Sequence, residues 1–197
     1  MIVRSLQKNK NNSYTATIDD RDYIFIEETI LKYRLVENKE ISKDDLDSAI
    51  EYNELMEFYS KALAYQIKYQ KTESELYKYL FAKGISDNSI NKIIDKLKEI
   101  KVLNDSKLII SYVDSLIRKY NGIHMIKQKL YQHGFERDLI NDAINNIDYD
   151  LYYEYLNIIY NKTKNKYKDD PLIKKYKIKK YLLSRGYTSD DIDYHCN

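Results

Sequence analysis

One pattern of apolar and polar positions recurs three times along this chain, in YLFAKGISDNSI (79–90), KLYQHGFERDLI (129–140) and YLLSRGYTSDDI (181–192). In each copy a leucine lies four residues before a glycine, and an isoleucine lies six residues after it. The positions are Leu80, Gly84 and Ile90, then Leu130, Gly134 and Ile140, then Leu182, Gly186 and Ile192. The glycines are 50 and 52 residues apart. A repeat of this length with fixed internal spacing indicates serial helical modules.

Each copy predicts a helix, a tight turn at the glycine and a second helix. An aliphatic residue four positions before each leucine extends the buried stripe of the first helix, which the glycine ends by adopting a left-handed conformation at little cost. These aliphatic residues are Leu76, Ile126 and Ile178. The apolar residue after the glycine and the isoleucine five positions later would form a hydrophobic staple around Ser86 and Thr188 as N-caps, with Asp191 completing a capping box. In the second copy Glu136 is a poor N-cap.

The residues before the repeat predict a small head of a different kind. Three short segments, IVRSL, SYTATID and YIFIEE, are rich in β-branched and aromatic residues, and DDRD (19–22) separates the last two as a hairpin turn would. EETILKYRLV predicts a helix, and Ser42 with Asp45 predicts the capped start of another. The head is either an N-terminal cap on the helical body or a docking surface.

Each module needs a third helix before its glycine motif. YSKALAYQIKYQ, DSKLIISYVDSLIRKY (starting at Asp105 or Ser106) and LYYEYLNIIYNKTKNKY supply these helices. The predicted fold is mainly α, with tandem three-helix repeats in an elongated curved array and a small N-terminal β-ribbon plus helix. The predicted units are a head at 1–58 and modules at 59–104, 105–150 and 151–197, the last with a short final helix.

The composition narrows the functional classes. One proline and four glycines favour helices over a sandwich or barrel, and the single cysteine, Cys196, leaves no disulfide framework or cysteine-based metal site, as is usual in a reducing cytoplasm. The start of the chain lacks the long apolar stretch of a signal peptide, and no run approaches the roughly 20 apolar residues of a membrane span.

Candidate catalytic and metal-binding chemistry is sparse. His124, His133 and His195 have no cysteine or carboxylate at metal-ligand spacing, so we expect no metal. The isolated glycines do not form a phosphate-binding loop, and no serine is marked as a nucleophile. We therefore expect a protein without cofactors that is not an enzyme.

The net charge of +2 conceals an asymmetry: residues 1–58 carry −5 and residues 59–197 carry +7. The densest basic segment spans 162–185, where only Asp169 and Asp170 oppose the cations and Tyr167, Tyr176 and Tyr181 are interleaved. Its cations are Lys162, Lys164, Lys166, Lys168, Lys174, Lys175, Lys177, Lys179, Lys180 and Arg185. A second cluster comprises Arg118, Lys119, Lys127 and Lys129. Such patterns suit contact with single-stranded nucleic acid, and they also suit an ordinary solvated surface whose tyrosines pack inward.

The repeated segments resemble those of a known protein family. TESELYKYLFAKGI followed by VLNDSKLIISYV resembles the first module of the RecX family, which regulates the RecA recombinase, through Lys83-Gly84 and Leu103-Asn104-Asp105. NGIHMIKQKLYQHGF and KIKKYLLSRGY are similar to its second and third modules. His133 departs from the pattern, because a cation is usual there.

The resemblance implies a non-enzymatic, cytoplasmic modulator in DNA repair, recombination and the SOS response. Such a protein would act as a monomer and bind RecA filaments on single-stranded DNA along their groove. There it would limit filament extension, strand exchange, ATP hydrolysis and co-protease activity, or would remodel the filament. Its own affinity for single-stranded DNA would be weak and salt-sensitive.

The alternative is a general tandem-helical nucleic-acid-binding protein with no role towards RecA. Sequence-specific DNA reading is disfavoured. The helices that would enter a major groove, SINKIIDKLKEI and DLINDAINNID, carry acids and aliphatic residues rather than base-reading side chains.

Overall fold

The computed structural model describes residues 1–168 and 170–195, without the side chain of His195. Asp169 and Cys196, together with the side chain of His195, lie outside this description. The described residues form three β-strands and ten α-helices. The mainly helical fold with a small N-terminal sheet is the one that the sequence predicted.

The head is a three-stranded antiparallel meander followed by a short helix. The strands β1 (Val3–Lys8), β2 (Ser13–Ile18) and β3 (Arg21–Ile26) pair in the order β1-β2-β3, and helix α1 (Glu27–Tyr33) follows directly. Asn53 joins this unit to the next helix: its Oδ1 accepts the backbone N–H of Ile26 at 2.8 Å and the hydroxyl of Thr29 at 3.0 Å. The sheet therefore rests on a helix, because a small sheet alone would be marginally stable.

Helix α2 (Lys43–Tyr69) connects the head to the first module. Its N-cap is Ser42, whose hydroxyl oxygen accepts the N–H of Asp45 at 3.0 Å, as predicted. The helix passes without interruption through the boundary placed between residues 58 and 59. The head and module 1 thus share one helix, and the domain limits stay a prediction.

The remaining helices follow the repeat. They are α3 (Glu73–Phe81), α4 (Asp87–Glu99), α5 (Asp105–Arg118), α6 (Ile123–Gln132), α7 (Arg137–Asn145), α8 (Tyr149–Lys166), α9 (Pro171–Ser184) and α10 (Ser189–His195). Gly84, Gly134 and Gly186 have φ angles of 79°, 78° and 88°, so each turn uses the left-handed conformation that glycine adopts most easily. The predicted glycine turns are confirmed.

The predicted caps also hold. Ser86 caps α4 through the N–H of Ser89 at 3.3 Å. Thr188 accepts the N–H of Asp191 at 3.0 Å, while the Asp191 carboxylate accepts the N–H of Thr188 at 2.9 Å. Glu136 makes no side-chain cap to α7, as its residue type predicts.

The buried residues form separate cores rather than one. The head has its own cluster, centred on residues such as Phe25 and Leu35, and module 1 has another that includes Leu80 and Ile90. Modules 2 and 3 share the third cluster. The accessible surface is 12692 Å², whereas a compact monomer of 23.7 kDa would expose about 9,800 Å². The large surface agrees with a serial arrangement rather than a ball.

Modules 2 and 3 join through the N-terminus of α6. The backbone N–H groups of Gly122 and His124 donate to the carbonyl oxygens of Arg185 and Gly186, at 2.9 and 3.0 Å. Helix α6 has no side-chain N-cap, so carbonyls of the next module satisfy its free amides. A Cβ atom added to Gly186 would lie 2.4 Å from the backbone nitrogen of Met125. Glycine is therefore required here for space as well as for its φ angle.

Modules 1 and 2 meet in a related way. The hydroxyl of Thr72 donates to the carbonyl oxygen of His133, and Nδ1 of His133 lies 2.9 Å from Oε1 of Glu75. Asp105, the first residue of α5, accepts the N–H of Glu73 at 3.1 Å. At both junctions, therefore, the glycine turn of one module lies against the N-terminus of a helix in the preceding module. The turn at Gly134 lies against α3, and the turn at Gly186 lies against α6.

The third module differs at the corresponding helix start. Helices α3 and α6 begin 11 residues before their glycines, whereas α9 begins 15 residues before Gly186. The added turn starts at Asp170, which caps the N–H of Leu172 at 3.0 Å, and includes Pro171. The N–H of Lys174, at the repeat position of Gly122, donates within the helix to the carbonyl of Asp170 at 2.8 Å.

Candidate nucleic-acid interface

The predicted basic segment 162–185 occupies the end of α8, the connection after it and α9. Most of its cations project from the surface, but several are already engaged by other side chains. Lys162 donates to the hydroxyl of Tyr120 at 2.6 Å, and Lys179 donates to the carboxylate of Asp193 at 2.7 Å. Lys164 lies 5.8 Å from the ring centroid of Tyr160, and Lys177 lies 5.7 Å from that of Tyr167.

A subset of the lysines is available for an anionic ligand. Within the part of the chain that the structure describes, they make no side-chain hydrogen bond or ion pair. They are Lys166, Lys168, Lys174, Lys175 and Lys180. Lys174 is half-buried and the other four are exposed. These five positive charges are what a polyanion would meet first on module 3.

Arg185 has a structural contact that the sequence did not reveal. Its Nε donates to the carbonyl oxygen of Tyr120 at 2.9 Å, and its Nη2 donates to the carbonyl of Lys119. These carbonyls lie just beyond the end of α5, where the helix dipole is negative. The guanidinium of Arg185 therefore lies at the C-terminus of a helix in the preceding module. We therefore assign Arg185 to the junction of modules 2 and 3.

The three tyrosines of the segment have different environments. Tyr176 is 67% exposed. Tyr167 and Tyr181 are partly buried against the core shared by modules 2 and 3. Tyr176 is therefore the tyrosine of this set with a free ring face for a base.

Part of the second basic cluster meets the first through tyrosines. Arg118 donates to the hydroxyl of Tyr155 at 3.3 Å, and the rings of Tyr155 and Tyr120 are 5.7 Å apart. Lys162 lies 4.5 Å from the Tyr120 ring centroid. Neither tyrosine could be found from the sequence, because no spacing rule relates the segment after α5 to α8.

The other members of the second cluster are more scattered. Lys119 is exposed, with its carbonyl bound to Arg185. Lys127 and Lys129 are half-buried on α6. The structure shows no contact that joins Lys127 or Lys129 to the described lysines of α9.

Other polar clusters of the described residues stabilise the junctions. Burial tends to raise the pKa of Glu75, but hydrogen bonds from His133 and Thr72 and the charge of Lys71 together hold it below its ordinary value of 4.5. Burial, together with the carboxylate of Asp191, raises the pKa of Tyr152. The Tyr152 hydroxyl donates to Asp191 at 3.1 Å.

Among the side chains described for residues 1–168 and 170–194, no group of three or more His, Cys, Asp or Glu residues is placed to hold a metal ion. None of the described helices combines the length and the apolar character that crossing a bilayer requires.

No model of a known protein family matches the chain. A search of curated proteins finds "Regulatory protein RecX" of Streptococcus mutans, 32% identical over 155 residues. The match covers 76% of this chain and 58% of the streptococcal protein, so the chain spans a little over half the length of that relative.

Two solved structures resemble the fold. The crystal structure of RecX from Lactobacillus salivarius is 30% identical, with a TM-score of 0.66, and the match covers 71% of this chain and 92% of that one. A crystal structure of a regulatory protein RecX is 22% identical, with a TM-score of 0.82 over 98% of this chain and 97% of the other. The second likeness extends the shared fold to nearly the whole chain.

Proposed function

This chain belongs to the RecX family of regulatory proteins, and from that premise we propose that it binds RecA filaments on single-stranded DNA. Bound there, it limits RecA's ATP hydrolysis, strand exchange and co-protease activity. It acts in the cytoplasm as a monomer and catalyses no reaction. The proposal takes the target from the resemblance and the DNA contact from the surface of module 3.

One observation carries the DNA contact. Module 3 presents five lysines without ion pairs among the described residues, and the exposed ring of Tyr176 lies on α9 with three of them, Lys174, Lys175 and Lys180. Lysines neutralise phosphates, whereas an aromatic face stacks on a base of any identity. This combination suits a single strand that is read without regard to sequence.

The serial fold supports a polymeric target. Modules arranged one after another offer several weak contacts, and a filament repeats its own surface. Once one contact has formed, the others are made at high effective concentration. Weak sites on separate modules can therefore add up to a specific complex with a filament.

The proposal is tested by RecA ATP hydrolysis on single-stranded DNA, measured with and without this protein. We expect the rate to fall as the protein is added. The triple variant Lys174→Glu, Lys175→Glu and Lys180→Glu should inhibit less, because reversed charges repel phosphates. The matched control reverses three exposed lysines elsewhere, Lys43→Glu, Lys92→Glu and Lys107→Glu.

The same assay separates the alternative function. A general nucleic-acid-binding protein would bind single-stranded DNA in a salt-sensitive way and leave RecA turnover unchanged at concentrations that do not coat the DNA. That result would overturn the proposal. Equal loss of inhibition in the module 3 variant and its control would reject the lysine assignment.

A further inference from the structure

Two grooves adjoin on the face formed by modules 1 and 2. The first has a volume of about 670 Å³ and lies between α3, α5 and α7. The second has about 650 Å³ and lies between α5, α7 and the start of α8. Both are lined by Ser106 and Leu139. We call the two together the furrow.

The furrow is acidic along its whole length, unlike the basic surface of module 3. Six carboxylates line it, against two cations. The carboxylates are those of Glu73, Asp105, Asp114, Glu136, Asp142 and Asp148. Both cations are already engaged, since Lys98 pairs with Glu73 at 2.5 Å and Arg118 donates to Tyr155 at 3.3 Å.

The remaining negative charge is only partly compensated within the described residues. Burial raises the pKa of Asp105, and nearby Glu73 and Glu136 raise it further, against the lowering by the Glu73 N–H and Lys98. Asp114, Glu136 and Asp142 have no cation within ion-pair distance in residues 1–168 and 170–194. The furrow would therefore repel phosphate and attract a cationic ligand.

The floor of the second groove is apolar. Ile109, Val113 and Ile147 are at most 7% exposed there, whereas Ile110 stands at the rim with 61% of its surface exposed. An apolar floor with a charged rim is the usual construction of a protein-recognition surface. Ile110 extends the apolar surface of the groove to its rim, where a partner can cover it.

We propose that the furrow binds a basic segment of the filament's protein subunit, one in which lysine or arginine residues alternate with aliphatic side chains. The inference rests on the proposed function and assigns different partners to different modules: modules 1 and 2 bind the protein subunit, and module 3 contacts DNA. Charge complementarity selects this occupant over nucleic acid, because the same carboxylates that attract a basic peptide repel a phosphate backbone.

The test measures two affinities of the same full-length variant. Binding to RecA filaments assembled on single-stranded DNA with a slowly hydrolysed ATP analogue is compared with binding to the free DNA. The variant is Asp114→Lys with Asp142→Lys, both exposed on helix surfaces. We expect filament binding to weaken by about tenfold or more, while binding to free DNA stays equal or strengthens.

The matched control gives the same change of net charge outside the furrow, as Glu51→Lys with Glu54→Lys on α2. It should leave filament binding unchanged or stronger. A second variant, Ile110→Ala, changes no charge and removes an exposed side chain, so it keeps the test valid if the double reversal does not fold. It should weaken filament binding and leave DNA binding unchanged.

The outcomes separate the two proposals. If the wild-type protein does not bind filaments, the proposed function fails and this inference with it. If it binds and the furrow variants bind equally well, the furrow inference alone fails. If the furrow variants change only the sedimentation of the free protein, the occupant is a second copy of this chain, which also overturns the inference.

Discussion

The hydroxyl of Thr72 donates to the backbone carbonyl of His133, 2.6 Å away and 61 positions further along the chain. Thr72 is the N-cap of α3 in module 1, and His133 precedes the glycine of the turn in module 2. The corresponding contact between modules 2 and 3 uses Gly122 and Arg185. Consecutive modules are thus joined by polar contacts at the glycine turns.

We predict that alanine is tolerated differently at two equivalent glycines. Gly84→Ala should cost about 1–2 kcal/mol, because only its φ of 79° disfavours a side chain and no atom lies within 4 Å of the added Cβ. Gly186→Ala should cost about 3 kcal/mol or more, because the Cβ would collide with the backbone of Met125. Urea unfolding followed by far-UV circular dichroism measures both, and equal losses would contradict the junction geometry.

Substitutions of Arg185 and Lys175 should affect different properties: the first should lower stability, and the second should weaken DNA binding. Arg185→Gln removes a cation from two carbonyls at the end of α5 and should lower the free energy of unfolding by about 1–2 kcal/mol. Lys175→Gln removes the same charge from an exposed site and should leave stability within about 0.5 kcal/mol. It should instead reduce the slope of log affinity for single-stranded DNA against log salt by about 0.7.

Thermal unfolding and fluorescence anisotropy at several salt concentrations measure these two effects. A lower salt slope for Arg185→Gln with unchanged stability would return Arg185 to the nucleic-acid surface. The contrast is informative because both variants lose one positive charge from the same module.

The carboxylate of Glu75 at the first junction predicts a pH dependence of stability. Since the pKa of Glu75 is lowered in the folded state, its charge stabilises the protein above the ordinary value of 4.5, and this contribution is lost as the pH falls through the folded-state pKa. Glu75→Gln should therefore be less stable than wild type at pH 7, and the difference should shrink as the pH falls below 4.5.

Chemical unfolding at a series of pH values checks this expectation. Glu54→Gln, an exposed change on α2, is the control and should follow wild type throughout. A deficit of Glu75→Gln that is as large at pH 3 as at pH 7 would show that its charge is not the cause.

Tyr176 should contribute to binding but not to folding. Tyr176→Ala is expected to weaken binding to single-stranded DNA by about 1 kcal/mol or more, because it removes a ring that can stack on a base, whereas Tyr176→Phe should bind normally. Tyr131→Ala, at a tyrosine of α6 that is 48% exposed, serves as the control. Anisotropy titrations with a labelled single-stranded oligonucleotide measure these affinities. Equal affinities of Tyr176→Ala and wild type would reject stacking at this position.

The sequence could predict features whose causes are local. The glycine turns depend on the backbone preference of one residue, and the caps at Ser42, Ser86 and Thr188 depend on side chains within three positions of the amides they serve. Local sequence also identified Glu136 as a poor cap. Such features can be read within a window of a few residues, so the helices and their repeat were predicted correctly.

The contacts that sequence reasoning missed join distant positions. The N-terminus of α6 begins at Gly122 without a side-chain cap, and the carbonyls that satisfy it come from Arg185 and Gly186, more than 60 residues later. The sequence placed Arg185 in a basic surface segment, because its contacts with the carbonyls of Lys119 and Tyr120 cannot be inferred from spacing. The furrow could not be predicted from the sequence either, because its carboxylates come from several helices and resemble ordinary surface charges in the sequence.

The extra first turn of α9 has a consequence for crowded solutions. Tandem units with matching ends can stack between molecules as they do within one, and contacts of that head-to-tail kind lead to open-ended fibres. In α9 the N–H of Lys174 is already bonded to Asp170, whereas Gly122 at the same repeat position offers its N–H to a following module. A glycine turn from a neighbouring molecule finds no free backbone N–H at that place, so the backbone contact that joins modules 2 and 3 is not repeated there between molecules.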